Sequence, residues 1–143
     1  MTPTAPPSEV WVDANVVLRL LTGKPAGPAR AARALMERAD AGEVRLRLCP
    51  LVVAEVVWVL TSSYDMAAAR VSAVLVEFLS SGGLIVEEGM QLVAALRQMV
   101  ACNVDFVDAY LAEKARLAGS PVATFDRDFD RLGVDRIEPT VSQ

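Results

Sequence analysis

The sequence predicts an α/β fold in which helices cover both faces of a parallel sheet. Short apolar segments of the strand type alternate with segments of helical periodicity along the chain. Strands that are separated by helices usually pair in parallel, and this arrangement covers both faces of the sheet. A length of 143 residues suits one domain. We therefore expect one domain over residues 9–138, with a flexible tail at residues 1–8 and a second tail at residues 139–143.

The first third of the chain contains two predicted strands and two predicted helices. Residues 9–12 are short and largely apolar, which is typical of a strand. The apolar positions of residues 14–21 indicate a short helix, and residues 27–41 are rich in alanine and arginine with one apolar face. A glycine follows each of these helices and is expected to end it. Residues 44–49 alternate between apolar side chains and arginines, which predicts a strand.

The middle of the chain is mostly helical in pattern. Pro50 suits the first position of a helix. Residues 50–62 are apolar nearly all round, so we expect most of this helix to be buried. Residues 67–80 predict another helix, which ends at paired serines and glycines. A short strand at residues 84–86 and a helix at residues 89–101 complete this part.

The last third of the chain returns to the alternating pattern. Asp105 is suited to cap a helix that ends near Gly119. Residues 121–125 predict a strand, residues 128–132 a short helical turn, and residues 135–137 the last strand. Ligand sites of open parallel sheets lie at the carboxyl ends of the strands. The acidic residues that follow the first and fourth strands are therefore expected at one edge of the sheet.

The absence of histidine limits the chemistry open to this chain. It excludes Ser-His-Asp and Cys-His catalysis in their usual forms, and it excludes most catalytic zinc sites. Carboxylates remain, and their oxygens suit hard cations such as Mg²⁺ and Mn²⁺. The formal net charge of −4 also argues against a simple nucleic-acid-binding module, because such modules are usually basic.

The sequence favours a protein of the cytoplasm. No apolar run reaches the roughly 18–20 residues that a helix needs to cross a bilayer. The N-terminus lacks the basic start and apolar stretch of a signal peptide. The two cysteines, Cys49 and Cys102, have no cysteine or histidine neighbours in sequence, so we interpret them as buried thiols in a reducing compartment.

Asp13 and Glu55 are the first two candidate functional residues. Asp13 follows the first strand, where it could bind a ligand or cap the next helix. Asn15 could support Asp13 or serve only as a turn residue. Glu55 lies among valines in the apolar helix, and an unpaired carboxylate buried there is costly. Such a carboxylate predicts a bound metal, an arginine partner or protonation, and a position near solvent is the alternative.

Two further pairs of acids occur near the ends of predicted elements. One acid of Asp105 and Asp108 is enough to cap the helix, which leaves the second, preferentially Asp108, free to join a site. Asp126 and Asp128 directly follow the fourth strand, and a turn with a cap accounts for only one of them. Thr124 could orient one of these two carboxylates.

Acids on separate elements repel one another unless a cation is present, so together they predict a divalent-metal site. The four principal candidates are Asp13, Glu55, Asp108 and Asp126.

The motifs around these acids resemble those of the PIN-domain family, and more narrowly those of the VapC-type toxins of bacterial toxin–antitoxin pairs. The matching segments are residues 12–15, 54–56, 105–112 and 124–129. The resemblance extends over residues 9–137. Each motif is short, so the specificity comes from their joint occurrence in the expected order.

The resemblance implies a three-layer α/β/α fold around a central, mostly parallel sheet. It implies that Mg²⁺ or Mn²⁺ is bound by the four principal acids, and that water activated by the metal cleaves RNA endonucleolytically. It also implies a homodimer that a cognate VapB-type antitoxin holds inactive. The residues in accessory roles would be Asp128, Asn15, Thr124 and Asp105.

Two alternatives belong to other functional classes. A catalytically silent PIN-like interaction module would have the same fold, and metal-dependent cleavage separates it from the enzyme. A phospho-acceptor receiver domain would need paired acids after the first strand and a lysine after the last strand. Only Asp13 stands at the first place, and no lysine follows Lys114.

Overall fold

The structure, a computed structural model, describes residues 7–142. Its strands are β1 (Ser8–Trp11), β2 (Val44–Leu48), β3 (Leu84–Val86), β4 (Val122–Ala123) and β5 (Arg136–Ile137). Its helices are α1 (Ala14–Thr22), α2 (Ala26–Asp40), α3 (Pro50–Ser62), α4 (Ala68–Leu79), α5 (Gly89–Ala101) and α6 (Phe106–Ala118), and a short 3₁₀ turn occupies Arg127–Arg131. All twelve predicted elements are therefore present, in the predicted order.

The strands form two groups, and every pairing is parallel. β1, β2 and β3 hydrogen-bond in that order, with Leu46 of β2 opposite Val10 on one side and Leu84 on the other. β4 and β5 pair with each other, with Val122 opposite Arg136. The predicted class, helices packed with a parallel sheet, is confirmed. Within the described residues, the two groups of strands are not hydrogen-bonded to each other.

The middle strand β2 shows how the core is built. Val44, Leu46 and Leu48 are buried, whereas Arg45 is exposed and Arg47 is half-buried. The predicted alternation of β2 is therefore confirmed, since successive side chains of a strand point to opposite faces. The buried side chains of β2 join apolar residues of all six helices in one core.

Glycines end two helices as predicted. Gly23 follows α1 and Gly119 follows α6, and both have the left-handed φ of +69° and +65° that closes a helix at little cost for glycine. The Gly23 N–H donates to the carbonyl of Arg19 at 2.9 Å.

The expected burial of α3 is only half right, and the expected burial of Glu55 is wrong. Val53, Val56 and Leu60 lie in the core, but Glu55 is exposed between Leu51, which is 82% exposed, and Trp58, which is 70% exposed. Positions 51, 55 and 58 recur at the spacing of one helix face. Because α3 is apolar on nearly every side, its pattern does not indicate which face packs inward.

The ends of the domain and the thiols complete the comparison with the predictions. Of the predicted tail at residues 1–8, residues 1–6 lie outside the described part, and Ser8 begins β1. Residues 139–142 form no helix or strand. Cys49 and Cys102 are half-buried and free, so they are less buried than predicted.

None of the helices within residues 7–142 is both long enough and apolar enough to span a lipid bilayer.

Candidate functional site

Asp13 lies between β1 and α1, where the strand turns into the helix. The preceding Val12 N–H still donates to the carbonyl of Arg47 at 2.8 Å, which ties this junction to β2. The exposed Asp13 side chain caps α1, because its Oδ1 accepts from the Ala14 N–H at 2.7 Å. The alternative of a helix cap is therefore confirmed at one of the two carboxylate oxygens. Asn15 is exposed in the first turn of α1.

Asp105 and Asp108 begin α6. Asp105 takes the capping position, but within the described residues its side chain makes no capping hydrogen bond. Asp108 is half-buried in the first helical turn, where the positive end of the helix dipole favours a carboxylate. The prediction left one of these two acids free of capping. In the described part of the structure neither carboxylate caps the helix, so both are available to bind a ligand.

The region around Asp108 is crowded with negative charge. Burial raises the pKa of the Asp108 carboxyl, and the charges of Asp105, Asp126 and Asp128 raise it further. The pKa is raised because each of these effects makes the ionised form less favourable. The structure therefore brings together acids from the start of α6 and from the segment after β4, whereas the edge predicted from the sequence joined the acids after the first and fourth strands.

Asp126 and Asp128 are held by local contacts at the start of the 3₁₀ turn. Asp126 Oδ1 accepts from the Asp128 N–H at 2.8 Å, and Thr124 Oγ1 accepts from the Asp126 N–H at 3.0 Å. Thr124 thus fixes the backbone of Asp126, whereas the sequence had predicted a contact with a carboxylate. Asp128 forms an ion pair with Arg131 at 3.0 Å.

Arg131 is a residue of this region that the sequence analysis did not select. Besides Asp128, it contacts the carbonyl of Asn103, to which its Nη2 donates at 3.3 Å. It therefore connects the 3₁₀ turn with the loop that precedes α6. The spacing of Asp128 and Arg131, three residues apart, was the available signal in the sequence.

Asp105, Asp108 and Asp128 line one cleft of about 460 Å³. The rest of the lining comes from α3, the start of α4, the end of α5, the loop before α6 and the first turn of α6. Its residues are Ala54, Val57, Trp58, Thr61, Ala68, Met99, Asn103, Val104, Phe106 and Val107. The cleft thus combines an acidic side with an apolar side.

The acids are gathered without forming a closed set of metal ligands. Among residues 7–142, no three acidic or cysteine side chains lie close enough together to hold one metal ion. Neither Asp13 nor Glu55 is among the described residues that line the cleft or raise the pKa of Asp108. The donors that are present are carboxylate oxygens, which is the type that Mg²⁺ and Mn²⁺ prefer.

Comparison with known proteins identifies the family. Residues 10–135, which make up most of the chain, match the family described as PIN domain. A search of curated proteins gave no match. PIN domains are generally metal-dependent nucleases, and the helices packed with a parallel sheet agree with this family. The chain belongs to the PIN-domain family.

Proposed function

We propose that this chain is a divalent-metal-dependent endoribonuclease. The observation that supports this most directly is that Asp105, Asp108 and Asp128 line one cleft. Asp126 adjoins them at the start of the 3₁₀ turn. Carboxylates crowded at one place repel one another, and only Asp128 of the three has an ion-pair partner among the described residues. Their presence in a nuclease family therefore supports a role in binding a cation.

The donor set fits Mg²⁺ or Mn²⁺ in its chemistry. Asp13, Glu55, Asp108 and Asp126 would hold the ion, and all four provide oxygen ligands only. Asp13, Glu55 and Asp126 are exposed, so their side chains can change rotamer to approach a common ion. Such an ion, when bound, lowers the pKa of a water molecule and stabilises negative charge on a phosphodiester.

The protein's own contribution is to hold these acids in position. The positive end of the α6 dipole favours a phosphate group beside Asp108. Thr124 fixes the backbone that leads to Asp126. Asp128 forms an ion pair with Arg131, so we assign to it an accessory role. We assign the same role to Asp105 and Asn15.

We further propose that the protein is the toxin of a toxin–antitoxin pair. This rests on the resemblance of its motifs to the VapC-type toxins. A toxin of this type would cut RNA in the cytoplasm, form a homodimer and be silenced by a VapB-type antitoxin. Expression of the chain alone should then arrest growth, and co-expression with the product of a small neighbouring gene should restore it. Unimpaired growth on expression alone contradicts the toxin assignment.

The second candidate function is a catalytically silent PIN-like interaction module. The spacing of the acids favours it, because no three acidic or cysteine side chains in the described part of the chain are placed to hold one ion. The receiver-domain alternative has lost its support, since the chain belongs to the PIN-domain family.

Cleavage of single-stranded RNAs of mixed sequence, in Mn²⁺, Mg²⁺ or a chelator, tests the enzyme against the silent module. We expect cleavage only with the metals, and we expect its loss in Asp13→Asn and Asp126→Asn. Asp130→Asn is the matched control, because Asp130 lies in the same 3₁₀ turn but pairs with Arg136 at 3.1 Å. Absence of cleavage under every condition, or full cleavage by Asp13→Asn, overturns the proposed mechanism.

A further inference from the structure

Trp58 is a large aromatic side chain that is exposed beside the acids. Its exposed fraction is 70%, although an indole stabilises a protein most when it is buried. It follows Glu55 by three residues on the exposed face of α3, so the two side chains are neighbours on the helix surface. It also lines the cleft that Asp105 and Asp108 line. Two separate observations therefore place Trp58 next to the candidate metal site.

The side of the cleft next to Trp58 is an apolar surface with a few polar groups. Val57, Met99 and Phe106 are each 5% exposed and form its base. Thr61 lines the wall and donates its hydroxyl to the Val57 carbonyl at 2.8 Å, which leaves the hydroxyl oxygen able to accept. The Asn103 side chain can both donate and accept.

A nucleotide has the chemistry that matches both sides of this cleft. Its base has flat apolar faces and a hydrogen-bonding edge, while its phosphate needs the acids to be bridged by a cation. Aromatic side chains next to a phosphate-binding region are the usual means of holding single-stranded nucleic acid. A volume of about 460 Å³ also lies within the range of small-molecule sites.

We propose that this cleft is a base-binding subsite in which Trp58 stacks on a nucleobase of single-stranded RNA. Thr61 and Asn103 would face the edge of that base, and the adjoining phosphate would lie at the acidic side of the cleft. The proposal rests on the proposed ribonuclease function and specifies how the substrate is held. Trp58 acts here as a substrate-binding residue.

Binding of a dye-labelled hexamer of riboadenylate, measured by fluorescence anisotropy, tests the stack. Ca²⁺, which also prefers oxygen ligands, is the cation in these measurements. Trp58→Ala should weaken binding by about 5- to 150-fold, which corresponds to the roughly 1–3 kcal/mol of a base on an aromatic ring. Trp58→Phe should restore much of this loss. Leu51→Ala is the matched control, because Leu51 is exposed on the same face of α3 but does not line the cleft.

An abasic hexamer with the same phosphates separates stacking from charge. It should bind Trp58→Ala and the parent protein equally. In a Trp11→Phe background, Trp58 is the only tryptophan, and riboadenylate should quench its fluorescence. Equal binding of riboadenylate to Trp58→Ala and the parent protein overturns the subsite, and so does a loss of abasic binding as large as the loss of riboadenylate binding.

The sign of the metal dependence distinguishes RNA from a protein occupant. Ca²⁺ should strengthen riboadenylate binding, because the cation joins phosphate to the acids. A basic apolar peptide of alternating arginine and leucine would compete with the cation and bind more weakly in Ca²⁺. If that peptide quenches Trp58 and riboadenylate does not, the subsite proposal is wrong.

Cleavage followed on longer RNA keeps this proposal separate from the proposed function. Quenching of Trp58 by riboadenylate without any cleavage supports the subsite and contradicts the ribonuclease. Cleavage by Trp58→Ala with unchanged KM and kcat supports the ribonuclease and overturns the subsite.

Discussion

Acidic side chains are unpaired at the start of α6 and paired further along the helix, within the described residues. At its first turn, Asp105 and Asp108 lie in one cleft, and the pKa of Asp108 is raised. Further along, Lys114 pairs with the Glu88 carboxylate and Tyr110 Oη donates to Glu88 Oε2 at 2.7 Å, and both contacts lower the pKa of Glu88. Burial and the bond to Glu88 raise the pKa of Tyr110 to about 12.

Glu113 follows the second pattern more completely. Its side chain is only 11% exposed, and Arg116 pairs with it while also donating to the Leu132 carbonyl at 3.0 Å. Acids that serve the fold are therefore paired with a cation or a hydroxyl of the chain. Asp105 and Asp108 are crowded together and form no ion pair within the described residues, which is why we propose a cation from outside as their partner.

The largest effect should come from removing the charge of Asp108. Asp108→Asn should lower RNA cleavage by on the order of 100- to 1000-fold, since charge stabilisation by a metal is worth several kcal/mol. Glu88 is a carboxylate that contacts α6 but is paired with Lys114. Glu88→Gln should therefore retain cleavage close to that of the parent. Single-turnover cleavage with equal protein concentrations measures both. Comparable losses in the two variants would remove the distinction between the two ends of α6.

Metal binding should stabilise the protein through Asp108 and the acids near it, and Glu88 should take no part. Mn²⁺ at about 100 times its dissociation constant adds about 2.7 kcal/mol, which raises the Tm by roughly 5–10 °C for a domain of this size. Glu88→Gln should show the same rise, and Asp108→Asn should show much less. Differential scanning fluorimetry with and without chelator provides the measurement. An equal rise in Asp108→Asn would mean that the ion binds elsewhere.

Loss of Arg116 should destabilise the paired end of α6. Arg116→Ala leaves the nearly buried Glu113 without its partner and should cost about 2 kcal/mol of unfolding free energy. The double variant Glu113→Leu/Arg116→Ala should recover most of this, because no charge is then left unpaired. Urea unfolding compares the three proteins. A single variant as stable as the parent would show that this pair contributes nothing to the fold.

The smallest effect should be two opposite pH dependences, measured without metal. The raised pKa of Asp108 means that the folded state holds a proton that the unfolded state has lost, so its contribution to stability falls as the pH rises above 3.8. Asp108→Asn should therefore be more stable than the parent at pH 7, and the gain should disappear in acid.

The lowered pKa of Glu88 has the reverse sign. Its contribution is present above the ordinary value of 4.5 and is lost as the pH falls through the folded pKa. Glu88→Gln should be less stable than the parent at pH 7 by under about 1 kcal/mol, as for other exposed pairs. Thermal unfolding of both variants is measured at intervals of about one pH unit between pH 3 and pH 7. Parallel pH profiles of the two variants would contradict the opposite shifts.

The elements and their order were predictable because local signals determine them. The alternation of β2 and the glycines after α1 and α6 act within a few residues, and all of them are confirmed. The rule that strand ends meet at one edge of a sheet predicted Asp13 beside Asp126, whereas the acid that the structure brings near Asp126 is Asp108 of α6.

Other features depend on packing that no local pattern contains. Glu55 and Trp58 are exposed because α3 packs a different face inward, and an all-apolar helix gives no sign of which face that is. The capping bond of Asp13 and the spacing of the carboxylates follow from side-chain rotamers. The sequence predicts which acids are candidates for one site, whereas the distances between them depend on the whole fold.

The short pairing of β4 with β5 affects how long the acidic cleft stays assembled. The Val122 N–H donates to the Asp135 carbonyl at 2.8 Å, and the Thr124 N–H donates to the Ile137 carbonyl at 3.0 Å. Breaking these few bonds would loosen the strand that leads to Asp126 while β1, β2 and β3 stay paired. Local opening of this kind requires less free energy than global unfolding. We therefore expect opening of this small unit to limit the lifetime of the acidic cleft, and we expect amide hydrogen exchange to be faster at Thr124 than at Leu46.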